Sequence, residues 1–246
     1  MILKIYYSSH NTYGIRKIYF ILRKEGIVIS RKTVQNYMRE LNIKSIVYKK
    51  FKLKKSLFRE YEYKNLKNHI KDLAINRVNQ VWTQDITYLK LKNGSFAYLA
   101  SVIDLYSRKV ISYEVSKSMS TDLIIRVLKK ACDIRKPQRG IIFHSDKGAQ
   151  YRSMEYKNFC YEHNAIRSYT RICFSCADNA VQESFHATFK KECFYQIKPL
   201  DFEATKELVS RYIDGFYNPS RIHSSIKYFS PNEFEENNKN LKKCHF

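Results

Sequence analysis

The chain has 246 residues, of which 44% are hydrophobic and 15% aromatic, so it can build a packed core and is not an intrinsically disordered chain. Its formal net charge of +22 exceeds what solubility requires and favours a polyanionic partner, with nucleic acid ahead of an anionic membrane. Residues 1–80 contain 19 Lys and Arg against 5 Asp and Glu, which predicts a basic module in front of a more balanced body.

Membrane, secreted and disulfide-rich classes are disfavoured. No run approaches 18 consecutive apolar residues, and "MILKIYYSSH" lacks the apolar segment and cleavage site of a signal peptide, so we expect a cytoplasmic protein without a membrane partner. The six cysteines are scattered, and Cys173 and Cys176 form a lone C-x-x-C without a second pair of ligands. We therefore expect neither a disulfide framework nor a zinc site.

Residues 1–45 predict a small helical module. "TYGIRKIYFILRKEG" and "RKTVQNYMREL" both repeat apolar residues at helical spacing, with Gly26 suited to end the first helix and Ser30 suited to cap the second. A short connection leading to a basic second helix is typical of helix-turn-helix DNA binding, and we expect Arg31 and Lys32 to contact DNA. The alternative is a helical hairpin that only packs against the rest of the chain.

A basic arm is predicted over residues 46–78, where lysines are interleaved with aromatic residues. We expect this arm to lie on a phosphate backbone, with Lys49 and Lys50 among its contacts. It would connect the helical module to the body of the chain.

Residues 79–195 predict an α/β domain with a mixed sheet. "VWTQDITYLKL", "SFAYLASVIDLYS" and "RKVISYEVS" predict three antiparallel strands, and an Asn-Gly turn separates the first two. The following segments predict a helix, a short strand buried on both faces, a helix, a strand and a helix. The resulting order is β-β-β-α-β-α-β-α, followed over residues 196–246 by a C-terminal helix and a polar tail.

Two aspartates interrupt the predicted sheet. Asp85 lies in the middle of the first strand and Asp146 ends the buried fourth strand, so their carboxylates approach each other if these strands are neighbours. Carboxylates in such positions are costly unless they are paired or bind a metal, and a divalent cation removes the repulsion between them. Mg²⁺ or Mn²⁺ prefers oxygen ligands and suits phosphodiester chemistry on a nucleic acid.

Other polar residues near these aspartates have simpler explanations. Asp104 could pair with Arg108, and Asp178 is a natural N-cap for the helix that follows it. His144 and Ser145 come just before Asp146, but no nucleophile motif surrounds them. We expect a packing or supporting role for both.

Glu183 is ambiguous by periodicity alone. "DNAVQESFHATFKKE" predicts an amphipathic helix that buries Phe185 and Phe189. Its solvent face would carry Glu183, His186 and Lys190. On this pattern Glu183 is an ordinary solvated charge, although its polar neighbours make that face unusual.

Several motifs follow one another in order along the chain. They are "WTQDITY", "VIDLYSRKVISYEV", "FHSDKGAQYRS", "DNAVQESFHATFKKE" and "YIDGFYNPSRIHSSIKYFSPNEFE". Together they resemble the OrfB-type transposases of bacterial insertion sequences in the insertion sequence three group, whose catalytic domain is similar to retroviral integrases. "YGIRKIYFILRKEGIVISRKTV" also resembles the helix-turn-helix of that group, and the resemblance runs from about residue 10 to residue 236.

The resemblance implies an RNase H-like fold and a catalytic triad that binds Mg²⁺ or Mn²⁺. Matched residue by residue, the triad falls on Asp85, Asp146 and Glu183. Lys190, two helical turns after Glu183, matches a basic residue that contacts terminal DNA in the group. We also expect Lys147, which follows Asp146, to contact DNA.

The implied reaction is 3′ strand cleavage at the ends of an insertion element, followed by strand transfer into target DNA. The implied partners are double-stranded DNA, further copies of the chain on that DNA and an upstream product joined by frameshift fusion. The implied location is the bacterial cytoplasm, in association with the nucleoid.

One departure from the family pattern supports an alternative function. Asp146 and Glu183 enclose thirty-six residues, one more than is usual in the group, and the extra residue falls in "RICFSCADNA". The alternative is a catalytically impaired DNA-binding remnant, or a repressor of its own element. A simple RNase H-type nuclease would share the acids but would not explain the helical module or the "RIHSSIKYFSPNEFE" segment.

Overall fold

The computed structural model describes residues 1–47, 66–171 and 178–243, with side chains described up to residue 238. The helices and strands in chain order are α1 (Ile2–Ser8), α2 (Ile15–Lys24), α3 (Arg31–Glu40), β1 (Val81–Lys90), β2 (Phe96–Asp104), β3 (Val110–Ser116), α4 (Thr121–Arg135), β4 (Ile142–Ser145), α5 (Ala149–Arg152), α6 (Met154–Glu162), β5 (Ile166–Tyr169), α7 (Ala180–Phe189), α8 (Phe202–Tyr212) and α9 (Pro231–Lys243). π-Helical turns at Lys190–Phe194 and Ile213–Tyr217 extend α7 and α8.

Within the described ranges, five strands form one mixed sheet in the order β3-β2-β1-β4-β5. β1, β2 and β3 are antiparallel neighbours, whereas β4 is parallel to β1 and β5 is parallel to β4. The predicted order of elements is confirmed; the helix predicted between β4 and β5 is α6, and the short α5 before it is additional. The domain therefore has the α/β mixed-sheet fold of the RNase H type.

Helices cover both faces of this sheet. α4 and α6 pack on one face, where Trp82 stacks on Phe143 with 5.6 Å between the ring centroids. α7 and α8 pack on the other face, where Phe185 and Phe189 are buried in one cluster with Leu99. The alternating side chains of the central strands thus supply both halves of the core.

The predicted helix pair of the N-terminal module is present as α2 and α3. Ser30 caps α3, since its hydroxyl oxygen accepts a hydrogen bond from the Thr33 backbone N–H at 3.0 Å. The structure adds α1, which the apolar spacing did not predict and which buries Ile5 and Tyr6.

This helical module packs directly on the α/β domain. Ile18 and Val34 belong to the same buried cluster as Phe185 and Tyr212. The Tyr13 hydroxyl also accepts a hydrogen bond from the Ile222 backbone N–H at 3.1 Å. The division of the chain into residues 1–45, 46–78, 79–195 and 196–246 stays a prediction.

The polar tail predicted after the C-terminal helix contains a further helix, α9. Its Glu235 is buried, accepts two hydrogen bonds from Arg135 at 2.8 and 3.0 Å, and accepts another from the Ser107 hydroxyl at 2.7 Å. Lys109 lies 3.6 Å from the same carboxylate. These contacts tie α9 to α4 and to the turn after β2, which an apolar pattern alone does not reveal.

Every helix within residues 1–47, 66–171 and 178–243 is too short or too polar to cross a bilayer. Cys132, Cys160 and Cys193 carry free thiols. Cys173 and Cys176 lie outside the described residues.

Replacing Glu235 with Gln should destabilise the fold. The substitution leaves Arg135 and Lys109 without their carboxylate in a buried setting, and we expect a loss of about 3 kcal/mol in the free energy of unfolding. Urea denaturation followed by circular dichroism measures this loss. Glu236→Gln, at the exposed neighbouring position, is the control, and equal midpoints for the two variants would contradict the role given to Glu235.

Candidate active site

The register of β1 and β4 places Asp85 and Asp146 side by side. These strands are parallel, and Thr83 pairs with His144. Asp85 and Asp146 each follow two residues later, so both side chains leave the same face at neighbouring positions. The two aspartates therefore belong to neighbouring strands, which is the condition that the sequence analysis set for their approach.

The immediate surroundings of Asp146 favour a close pair of acids. Its Oδ1 accepts a hydrogen bond from the Gly148 backbone N–H at 2.9 Å. Burial, together with the negative charge of Asp85, raises the pKa of the Asp146 carboxyl, while the bond from Gly148 opposes this shift. A Cβ atom at Gly148 would lie 3.0 Å from Asp146 Oδ1, so the turn accommodates the carboxylate because residue 148 has no side chain.

Glu183 lies in the first turn of α7 and shares a cavity with Asp85. This space of about 530 Å³, called here the carboxylate cavity, is also lined by His186 and Lys190. Asp146 is not among its lining residues. In the described part of the chain, no three His, Cys, Asp or Glu side chains are close enough together to hold one metal ion.

The rotation of α7 is set by polar contacts with β1 and β2. Gln182 is fully buried, and its Nε2 donates hydrogen bonds to the carbonyl oxygens of Thr83 and Ser101 at 2.7 and 3.1 Å. The Ser101 hydroxyl donates to Gln182 Oε1 at 2.9 Å, and the Thr83 hydroxyl donates to Asn179 Oδ1 at 2.7 Å. Glu183 follows Gln182 directly, so this anchor also determines where Glu183 projects.

His186 belongs to the same network of polar contacts, and the sequence pattern predicts its position wrongly. The prediction that it lies on the solvent face is wrong, because its side chain is buried against Asp85 and Ser101. Its Nδ1 lies 3.5 Å from Asp85 Oδ2, and its Nε2 lies 3.3 Å from the Ser101 hydroxyl oxygen. Apolar spacing missed His186 and Gln182 because the sheet under α7 is itself polar at this point.

Lys190 extends along β1 at the border of the carboxylate cavity. Its ammonium group donates a hydrogen bond to the Thr87 hydroxyl oxygen at 2.6 Å and lies 4.7 Å from the centroid of the Tyr88 ring. Burial lowers the pKa of Lys190, and the negative charge of Asp85 opposes this shift. The predicted basic residue is therefore held beside the acids, while its contact with DNA stays a prediction.

Three of the other cations predicted to contact DNA lie in the described part of the chain. Arg31 and Lys32 are exposed at the start of α3. Lys147 follows Asp146 directly and is half-buried, and burial lowers its pKa. Lys49 and Lys50 lie outside the described residues.

Asp104 has a structural role that differs from the expected pairing with Arg108. Its carboxylate accepts hydrogen bonds from the backbone N–H groups of Asn79, Tyr106 and Ser107 at 2.6 to 2.9 Å. Within the described residues, Nε and Nη1 of Arg108 are buried and have no hydrogen-bond partner. The expected pairing is therefore wrong, and Asp104 instead holds the turn between β2 and β3.

Asp178 is not the N-cap of α7, contrary to the sequence prediction. Asn179 occupies the cap position. Asp178 instead accepts three hydrogen bonds from Arg171, at 2.7 to 3.1 Å, and one from Asn68 Nδ2 at 2.8 Å. The pair of Arg171 and Asp178 therefore joins the two described ends on either side of residues 172–177.

His144 and Ser145 pack beneath the aspartates. His144 is fully buried, its Nδ1 lies 2.9 Å from the Ser168 hydroxyl oxygen, and burial lowers its pKa to about 4. The Ser145 hydroxyl donates a hydrogen bond to the backbone carbonyl of Asp146 at 2.9 Å. His144 thus contacts the neighbouring strand β5, and Ser145 contacts the backbone of Asp146. Neither residue lines the carboxylate cavity.

Comparison with known proteins places this arrangement in a known class. Residues 75–173 and residues 183–239 match two models of an integrase core domain, and residues 1–51 match a model of an HTH-like domain. The fold and these matches define an enzyme of the polynucleotidyl transferase type behind an HTH-like module.

Curated relatives specify the family. The chain is 34% identical to the putative transposase InsK for insertion sequence element IS150 from Escherichia coli K12, over 95% of this chain and 81% of the relative. It is also 34% identical to the transposase for insertion sequence element IS904 from Lactococcus lactis, over 95% of this chain and 91% of that protein. The chain belongs to the family of insertion-sequence transposases that includes those of IS3 and IS150.

Among solved structures, the catalytic core of HTLV-2 integrase in complex with magnesium covers 63% of this chain and 95% of its own, with 16% identity and a TM-score of 0.49.

Replacing Gln182 with Ala should loosen α7 from the sheet. The substitution leaves the Ser101 hydroxyl and two strand carbonyls without their buried partner and opens a small void, so we expect a loss of about 2 to 4 kcal/mol in the free energy of unfolding. Urea denaturation measures the loss. The control is Ser184→Ala, exposed on the same helix, which should stay within about 0.5 kcal/mol of the parent chain. Similar stability for both variants would show that the polar contact does not hold α7.

Proposed function

We propose that this transposase cleaves the 3′ strands at the ends of its insertion element and transfers them into target DNA, with Asp85, Asp146 and Glu183 as its catalytic acids. The observation that carries the proposal is the pairing of β1 with β4, together with the effect of the Asp85 charge on the pKa of Asp146. The presence of Glu183 in the same cavity as Asp85 supports the third assignment.

The donor set of this site fits a hard divalent cation. Two neighbouring aspartates, one with a pKa raised by burial and by the charge of the other, form a like-charged pair that a cation would stabilise. Asp85, Asp146 and Glu183 would hold Mg²⁺ or Mn²⁺, which when bound supplies activation of the attacking oxygen and stabilisation of the leaving oxygen.

The proposed reaction has two steps, a hydrolysis and a transesterification. In the first, water attacks the phosphorus of a phosphodiester at the element end and breaks its bond to the 3′ oxygen, which leaves a 3′ hydroxyl on the element and a 5′ phosphate on the flanking strand. In the second, that hydroxyl attacks a phosphodiester of target DNA, forms a new bond to phosphorus and displaces the 3′ oxygen of the target strand. The second step replaces one phosphodiester with another, so it needs no external energy source.

Neighbouring side chains would position the acids and the DNA. His186 contacts Asp85 and would restrict the orientation of that carboxylate. Lys190 and Lys147 would each meet a backbone phosphate near the acids. Arg31 and Lys32, exposed on α3, would contact the element ends away from the reacting bond.

The partners we propose follow from the reaction. The chain would bind double-stranded DNA at both the terminal repeats and the target, and it would act as a multimer because two element ends must be joined. An upstream product fused by frameshift would add DNA-binding surface. The place of action would be the bacterial cytoplasm, on the nucleoid.

The alternative function is a DNA-binding remnant or repressor without catalysis. It is favoured by the lack of a complete metal-binding group, since no three potential metal-binding side chains lie close together within the described residues. It is also consistent with the additional residue between Asp146 and Glu183. A strand-joining assay separates it from the proposed transposase.

Asp146→Asn should abolish strand joining without abolishing DNA binding. With purified protein, labelled terminal DNA and Mg²⁺, we expect the parent chain to give joined product and the variant to give at least about a hundredfold less, because a metal ligand is lost. Chelation of the metal should have the same effect. Binding should persist, because the cations that attract DNA are unchanged.

The matched control is Asp133→Asn, which removes an exposed carboxylate on α4 and should leave joining within about twofold of the parent. Equal joining by Asp146→Asn and the parent would disprove the assignment of this acid. DNA binding without joined product from the parent itself would support the repressor or remnant.

A further inference from the structure

A second cavity, of about 390 Å³, adjoins the carboxylate cavity and shares Ala180 and Ser184 of α7 with it. Three separate parts of the chain supply its basic lining. Lys17 comes from α2, Arg108 from the turn after β2, and Arg221 from the segment after α8. We call this space the cationic cavity.

The lining of the cationic cavity has the composition of an anion site. In the described part of the chain it contains three cationic side chains and no carboxylate. Several hydroxyl groups also line it and can donate hydrogen bonds; they belong to Ser184, Thr188, Tyr217, Ser224 and Ser225. Phosphate oxygens accept hydrogen bonds from cationic and hydroxyl groups of these kinds.

The positive charge of this cavity is only partly neutralised by the fold. Glu192 accepts hydrogen bonds from Nε and Nη2 of Arg221, both at 2.8 Å, so that one cation is paired. Within the described residues, Lys17 instead has its ammonium group 4.5 Å from the centroid of the Tyr13 ring, and Arg108 forms no ion pair. Two cationic side chains thus face the cavity without a hydrogen-bonded carboxylate. Burial lowers the pKa of each, although the negative charge of Glu192 opposes this shift at Lys17 and that of Asp104 opposes it at Arg108.

The lining places these cations around one space, and their electrostatic effects are consistent with that arrangement. Burial lowers the pKa of His223 to about 2, and the charges of Arg221, Lys17 and Arg108 all contribute to the shift. Burial and the charge of Arg221 also lower the pKa of Lys17 to about 7. Partly buried cations that repel one another cost free energy unless an anion joins them.

We propose that the cationic cavity binds a backbone phosphate of the same DNA strand whose reacting phosphodiester enters the carboxylate cavity. The identity of that strand rests on the proposed function, whereas binding of a DNA phosphate does not. The strand would cross α7 at Ala180 and Ser184, where short side chains let a backbone approach. This site also gives a role to "RIHSSIKYFSPNEFE", whose first residues, Arg221 to Ser225, line the cavity.

The test measures binding of random-sequence labelled duplex DNA by fluorescence anisotropy, without divalent metal and over a series of KCl concentrations. Arg108→Gln should weaken binding about fivefold near physiological salt and reduce the slope of log affinity against log salt by about one, because one phosphate contact is lost. Arg108→Lys should largely restore the slope. Lys129→Gln, which removes an exposed charge from α4 on the opposite face of the sheet, should change neither value appreciably.

A second variant distinguishes the loss of a phosphate contact from a folding defect. Ser225 is exposed at the cavity, so Ser225→Glu should repel a phosphate without disturbing the core. We expect it to weaken DNA binding as Arg108→Gln does. The melting temperature of Arg108→Gln without DNA should be no lower than that of the parent, because an unpaired charge has been removed.

The outcomes separate this inference from the proposed function. Unchanged affinity and salt slope in both Arg108→Gln and Ser225→Glu would overturn the phosphate site, even if the parent joins DNA. Weaker binding by both variants would support the site, even if the parent gives no joined product. If inorganic phosphate raises the melting temperature of the parent but not of Arg108→Gln, while both bind DNA equally, the cavity takes a free anion and the DNA proposal fails.

Discussion

The polar contact between α7 and the two central strands is the constraint on which the candidate site depends. An apolar helix can slide or rotate on a sheet at little cost, whereas the Gln182 amide is satisfied in only one position, between the carbonyl groups of Thr83 and Ser101. Successive residues of an α-helix differ by about 100° in direction. A shift of one residue would therefore unpair Gln182 and turn Glu183 away from Asp85.

The same contact links the two halves of the acidic site. Asp85 is placed by the strand register, and Glu183 is placed by the docking of α7. His186 connects them physically, because it lies on α7 and approaches both Asp85 and Ser101. The helix and the sheet are thus coupled through a short chain of polar groups, and a change in any of them is expected to move an acid.

The sequence predicted the elements that follow a simple period and failed where polar residues do the packing. Alternating strands and the buried run ending at Asp146 gave the correct order of elements along the chain, and Asp85 and Asp146 belong to strands that do pair. Apolar spacing could not identify Gln182 or His186 as buried, because it treats every polar residue as a surface residue. The same limit explains α9, which depends on the buried charge of Glu235.

Two of the candidate acids, Asp85 and Glu183, line one cavity, and the cations Lys17 and Arg108 line the adjoining one. The acids alone would repel a DNA backbone, and the cations compensate for this without neutralising the acids directly. Arg108 illustrates the cost, since its guanidinium is partly buried while Asp104 is occupied by backbone N–H groups. The negative charge of Asp104 acts on Arg108, but Nε and Nη1 of Arg108 have no hydrogen-bond partner within the described residues, which favours a role of this guanidinium in binding.

Anchoring at both ends of residues 172–177 bears on whether the additional residue there displaces Glu183. Arg171 and Asp178 are joined by several hydrogen bonds, and α7 is held to the strands from Asn179 onward. The position of Glu183 is therefore set by contacts that begin after this segment. The additional residue would displace Glu183 only if it disrupted the pairing of Asp178 with Arg171 or the hydrogen bonds of Gln182 to the strands. Both sets of contacts are present.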